Sequence, residues 1–83
     1  MLLKNNYIII KKEMDKLILG VRIIEYHSSH VLASFEGPNW IRDFKLVFNT
    51  YYKDNTEIKW EIQVLRKTTN RWFNDNSILA NIN

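Results

Sequence analysis

Residues 57–67 read EIKWEIQVLRK, and their pattern sets the fold class. Apolar side chains alternate with charged or amide side chains at a period of two, which is typical of a half-buried β-strand. The apolar set is Ile58, Trp60, Ile62 and Val64, and the polar set is Glu57, Lys59, Glu61 and Gln63. The stretch therefore predicts a strand with one face toward the core and one toward solvent.

The preceding stretch, FKLVFNTYY at 44–52, also alternates, with Phe44, Leu46, Phe48 and Tyr52 on one face. KDNT at 53–56 separates it from the strand at 57–67 and favours a turn, because Asp and Asn hydrogen-bond their own backbone. The two stretches together predict a β-hairpin.

A second hairpin is predicted upstream. LILGVRIIEY at 17–26 and VLASFE at 31–36 are rich in β-branched and apolar residues, and HSSH at 27–30 joins them at a length common for hairpin loops. Gly37 and Pro38 then predict a break in the chain direction.

Both ends of the chain leave alternatives open. Residues 3–14 fit a helical stripe, yet three consecutive isoleucines favour a strand, and the strand is preferred. NRWFNDNSILANIN at 70–83 predicts a short helix that starts near Asn70 or, if only the last turns form, is capped by Asp75 or Asn76.

A set of apolar residues falls on faces opposite the predicted core. They are Ile18, Ile24, Leu32, Val47, Tyr51 and Leu65. A sheet that is apolar on both sides needs a second cover, which the C-terminal helix could supply through Trp72, Phe73 and Leu79. Otherwise that face would be a partner surface.

The predicted fold class is α+β, mainly β. It consists of a single antiparallel meander sheet of four to five strands with a short C-terminal helix, and the N-terminal segment is a strand or alternatively a helix. Residues 1–83 are expected to form one domain, since a chain of this length supports one modest core.

Composition excludes several classes of protein. The chain has no cysteine, which rules out disulfides and thiolate-bound metals. Its apolar runs are far shorter than the roughly 20 residues of a spanning helix, and too short for a signal-peptide core. We therefore expect a cytoplasmic protein with no membrane association.

The only two histidines, His27 and His30, lie beside Glu25 and offer three ligands of a type that binds metals. A hairpin loop lacks the fourth ligand and the supporting contacts of a zinc site, so HSSH is interpreted as a turn. The sequence contains no phosphate-binding glycine loop and no convincing activated nucleophile. We expect no catalytic residues, no metal and no cofactor, and hence no enzyme.

Protein binding is the preferred function. Eleven aromatic residues are many for so small an interior, and Trp, Tyr and Arg are the types that anchor interfaces. The candidates are Trp40, Ile41, Arg42 and Tyr51, with Trp40 either projecting as an anchor or plugging one end of the sheet. Small size, together with many Ile, Asn and Lys residues, whose codons are A/T-rich, would suit a phage or mobile-element inhibitor or adaptor. An edge strand could pair with a second copy to give a homodimer.

Nucleic-acid binding is the alternative function. RKTTNRWF at 66–73 combines cations with aromatic rings, the combination that holds phosphates and stacks on bases of single-stranded DNA or RNA. The candidates are Arg66, Lys67, Arg71 and Trp72. The balanced charge along residues 57–63 counts against a long phosphate-binding track.

Overall fold

The computed structural model describes residues 17–82, and the side chains of residues 17–80. Within this range the chain forms four strands and two helices, the first of which continues into one π-helical turn at Phe48–Tyr52. In chain order the elements are β1 (Ile18–Glu25), β2 (Val31–Glu36), α1 (Trp40–Val47), β3 (Trp60–Arg66), β4 (Arg71–Asn74) and α2 (Ile78–Ile82). The prediction for residues 3–14 lies outside the described residues.

The four strands form one antiparallel sheet, which confirms the α+β, mainly β class. Their order is β2-β1-β3-β4, so β1 and β3 are the central strands. A simple meander would have placed β3 beside β2. The order differs because α1 lies between β2 and β3 in the chain, and this helical connection brings β3 to the far side of β1.

The core lies on one face of the sheet, where the central pairs are Val21 opposite Val64 and Ile23 opposite Ile62. All four side chains are fully buried, and the two described helices pack onto them. The helical members of this cluster are Trp40, Ile41, Phe44, Phe48 and Ile78. The predicted inward set of β3 is thus confirmed at its two central positions.

The predicted hairpin between 44–52 and 57–67 is wrong, because residues 40–52 are helical. Phe44, Phe48 and Tyr52 recur every four residues, a spacing that fits a helix as well as a strand. Trp40 lies four residues before Phe44 and so belongs to the same series, although the sequence suggested a loop there. In the structure it is part of the helix and is buried in the core. Leu46, which the strand interpretation placed inside, is instead 67% exposed.

The C-terminal helix follows the shorter of its two predicted versions. Arg71–Asn74 is a strand paired with β3, so the helix does not start near Asn70. Asn70 has a φ of +54° in the β3–β4 turn, a conformation that Asn tolerates and a helix excludes. The Asp75 carboxylate accepts the backbone N–H of Ser77 at 3.1 Å, immediately before α2.

The sequence left open whether the C-terminal helix covers the second face of the sheet, and in the structure α2 does not. Ile78 belongs to the core cluster, and Leu79 packs against it, so α2 shares the face that α1 occupies. Trp72 and Phe73 are consecutive in β4 and therefore point to opposite faces. Of these two, Trp72 lies on the second face, in register with Leu65.

Candidate functional sites

The HSSH segment lies in the β1–β2 loop, as predicted. The Glu25 carboxylate accepts the backbone N–H groups of His27 at 2.9 Å and Ser28 at 3.0 Å, and Ser28 Oγ accepts that of His30 at 3.2 Å. These bonds lower the pKa of Glu25, chiefly through the His27 N–H. Across residues 17–80 no three or more potential metal ligands lie close enough together to hold an ion. The Glu25 carboxylate and the Ser28 hydroxyl instead stabilise the turn by accepting its backbone N–H groups.

The four protein-binding candidates separate in the structure. Trp40 and Ile41 are each 2% exposed and belong to the core, so Trp40 does not project as an anchor. It is buried because it opens an amphipathic helix whose apolar side meets the sheet. Arg42 and Tyr51 remain exposed on the helix and its π-helical turn.

Exposed residues around Arg42 form what we call the α1 outer surface, made of Arg42, Leu46, Asn49 and Thr50, and Tyr51 follows them in the chain. Leu46 and Tyr51 are the most exposed large apolar side chains in the described range, at 67% and 65%. Thr50 donates its hydroxyl to the Leu46 carbonyl oxygen at 2.7 Å. A shallow depression of about 380 Å³ runs between Arg42, Leu46 and Thr50. The surface has the apolar and arginine content of a small protein contact.

The four nucleic-acid candidates come together at one end of the sheet, in what we call the basic hairpin: Arg66, Lys67, Arg71 and Trp72. Arg66 and Arg71 are direct cross-strand partners, and Lys67 begins the turn between them. Like charges directly opposite each other destabilise a ladder. Arg66 is partly compensated by Asp75, 3.4 Å away, and by the Phe73 ring, whose centroid lies 5.5 Å from the guanidinium carbon.

The second face adds three residues that the sequence did not single out: Arg22, Gln63 and Asn74. The guanidinium carbon of Arg22 lies 4.2 Å from the centroid of the Trp72 ring. Arg22 Nε donates to Gln63 Oε1 at 2.7 Å, and Gln63 Nε2 donates to Asn74 Oδ1 at 2.8 Å. The outward phase of Arg22 and Gln63 was readable from the alternation, whereas Asn74 lay in a segment predicted to be helical. The meeting of the three depends on the order β1-β3-β4, which a meander would not give.

Comparison with protein-family models, with curated proteins and with solved structures finds no match to this chain. Among the helices in the described range, none has the length and hydropathy needed to cross a membrane.

Proposed function

We propose that this chain is a small non-enzymatic binding domain that uses the basic hairpin to hold the phosphate backbone of nucleic acid. The observation that carries the proposal is the pairing of Arg66 with Arg71 at the end of a ladder, with Lys67 beside them. This arrangement costs stability in the free protein. A phosphate group would remove that cost, because it neutralises cations that otherwise repel each other.

The aromatic content of the same hairpin supports the proposal. Trp72 follows Arg71 directly and lies on the second face, whereas Phe73 lies on the core side and is 40% exposed. Cations beside partly exposed rings are the usual composition of sites that bind nucleic acid without strict sequence preference. Arg22, held over Trp72, adds a fourth cation to the same end of the sheet.

The test is the affinity for a fluorescein-labelled single-stranded oligonucleotide, measured by anisotropy at several salt concentrations. Arg71→Ala should weaken binding and lower the slope of log K against log salt by about 0.7, the value for one lost single-strand phosphate contact. Its thermal stability should hold or rise, since the substitution removes a cation opposite Arg66. Arg42→Ala on α1 is the matched control, with the same charge change at an exposed arginine outside the hairpin, and it should leave the affinity unchanged.

Two results would overturn the proposal. The first is the absence of binding at low salt. The second is an equal loss of affinity in Arg71→Ala and Arg42→Ala, which would mean that only net charge matters.

Protein binding, the function preferred from the sequence, retains one specific observation in its favour. Leu46 and Tyr51 are about two-thirds exposed on the helical segment that also carries Arg42. A photo-cross-linking residue at position 46 should then capture a discrete partner, while the same residue at the exposed position 57 should not. If both positions capture the same proteins, the α1 outer surface is no docking site.

Other expectations from the sequence stay predictions. These are the phage or mobile-element origin, the cytoplasmic location and a homodimer through an edge strand. For the last of these, β2 is an edge strand of the described sheet and would be the pairing element. Light scattering across a concentration series, with Val31→Lys on β2 as the variant, tests that prediction.

A further inference from the structure

We infer that the second face of the sheet carries a stacking site for one unpaired base, built from Arg22 and Trp72 with Gln63 and Asn74 at its edge. The inference rests on the proposed nucleic-acid binding at the basic hairpin. It goes further by assigning a preference for single strands over duplexes and by naming the side chains responsible.

The site is organised across three strands before any ligand arrives. Arg22 on β1 reaches over β3 to the Trp72 ring on β4, with its guanidinium carbon 4.2 Å from the ring centroid. The 2.7 Å bond from Arg22 Nε to Gln63 Oε1 fixes the guanidinium in this position. Both the guanidinium plane and the indole ring are surfaces on which bases stack, so a base could extend an existing stack with little further ordering of the protein.

Several hydrogen-bond donors at this site have no acceptor in the described part of the chain. They are the terminal N–H groups of Arg22, the indole N–H of Trp72 and the amide nitrogen of Asn74. No buried side-chain nitrogen or oxygen in that part lacks a partner, so the partly buried Arg22 and Trp72 groups reach solvent. A donor-rich, accessible edge suits the carbonyl and ring-nitrogen acceptors of a base.

Charge gives the bound strand a direction. Trp72 belongs both to this site and to the basic hairpin, whereas the side chain of Arg71, one residue earlier in β4, points to the other face of the sheet. Lys67 begins the turn at the same end of the sheet, so the phosphates next to a base stacked on Trp72 would lie toward Lys67. Glu61 lies on the same face beyond Gln63, and Glu36 lies on the outer strand β2, opposite Gly20. Glu61 therefore borders the site on the side away from the β3–β4 turn, whereas Glu36 shares the cross-strand row of Gly20, Leu65 and Trp72 at its outer edge. We expect the bound strand to run from the site toward Lys67, away from Glu61.

The site requires an unpaired base because the faces of duplex bases are already stacked on their neighbours. A duplex could still contact the hairpin cations through its phosphates, since those contacts do not depend on base exposure. The basic hairpin alone thus predicts binding of both forms, whereas the stacking site predicts a preference for single strands.

The experiment compares three labelled probes at low salt: a short oligothymidylate, the matching oligouridylate and a DNA duplex of equal length. Wild type should bind the two single strands at least several-fold more tightly than the duplex. Trp72→Leu should lower single-strand affinity by about tenfold, in line with the loss of one stacked base, and change duplex affinity by less than twofold. Tyr51→Leu, at an exposed aromatic residue on the π-helical turn and outside the sheet, is the matched control and should change neither.

Arg22→Gln supplies a second variant, so that the inference stays testable if Trp72→Leu lowers the melting temperature. It should reduce single-strand affinity more than duplex affinity, because it removes the stacked guanidinium. Equal affinity of wild type for single strands and duplex would overturn the stacking site. So would equal losses on both probes in these variants, and in either case the hairpin proposal would stand. Failure of all three probes to bind would instead overturn the proposed function itself.

Discussion

The side-chain oxygen of Asn76 accepts the backbone N–H of Ile62 at 2.9 Å. The carbonyl oxygen of Ile62 in turn accepts the backbone N–H of Asp75 at 2.9 Å. Strand β4 ends at Asn74 and pairs only with the last four residues of β3. Asp75 and Asn76 therefore complete the hydrogen bonding of a central strand at a point where its regular partner has ended.

We expect Asn76→Ala to lower the free energy of unfolding by about 1–2 kcal/mol, because it leaves the buried Ile62 N–H without an acceptor. Urea denaturation followed by far-ultraviolet circular dichroism measures this. Asn49→Ala, at an exposed position on the π-helical turn, is the control and should have little effect. Equal midpoints for the two variants would show that the Asn76 bond contributes nothing.

The strands were predictable where alternation agreed with local turn chemistry. In β1 and β3 the inward positions have no competing helical pattern, and Val21, Ile23, Ile62 and Val64 are all buried. The loop between β1 and β2 was also predictable, because its short polar residues satisfy one another locally. Local signals of this kind do not depend on the tertiary structure.

The helix at 40–47 was missed because its apolar residues fit two periods at once. Phe44 and Phe48 satisfy both, and the choice depended on Trp40 and Ile41, which had been assigned to a connecting loop. Adjacent apolar residues followed by one four positions later are typical of a helix face. The sequence contains this pattern, but Gly37 and Pro38 favour a turn as strongly as they favour the start of a helix just after them.

The candidate sites were likewise predictable only where their residues are close in sequence. The cations of the basic hairpin were found because they are close in sequence. Arg22 was missed because its distance from Trp72 depends on the order of the strands, a long-range property that alternation alone leaves undetermined. The loss of Trp40 and Ile41 from the protein-binding candidates follows directly from the missed helix.

The burial of Trp40 makes it a structural residue, and we expect Trp40→Ala to destabilise the fold by about 3–5 kcal/mol. Such a loss could unfold a domain of this size, so Trp40→Phe is the milder companion and should cost less while retaining the fold. Thermal and urea unfolding of both variants test the prediction. A stable Trp40→Ala protein with an unchanged midpoint would mean that the indole is not part of the core.

Gly20 is required by the close approach of β1 and β2. A Cβ atom at this position would lie 2.7 Å from the Phe35 carbonyl oxygen and 2.7 Å from Glu36 Cγ. The Glu36 side chain can move, but the carbonyl oxygen belongs to the backbone of the paired strand. We expect Gly20→Ala to cost about 1–3 kcal/mol through this overpacking. Ser34→Ala, on the exposed surface of β2, is the control, and equal melting temperatures for the two variants would contradict the prediction.

Glu25 should make the β1–β2 loop sensitive to acid. Its pKa is lowered in the folded protein, chiefly because the His27 backbone N–H donates to the carboxylate, with Ser28 adding further bonds. A carboxyl group whose pKa is lower in the folded state stabilises the fold above its unfolded pKa, and this contribution disappears as pH falls through the folded pKa. The stability difference between wild type and Glu25→Gln should therefore be largest near neutral pH and shrink in acid.

The expected effect on stability is small, because the Glu25 carboxylate is exposed. It is measured by an NMR titration of the Glu25 carboxyl carbon, together with unfolding experiments at each pH. Glu57→Gln, at another exposed glutamate, serves as the control, and a Glu25 midpoint at or above that of an unfolded peptide would contradict the prediction.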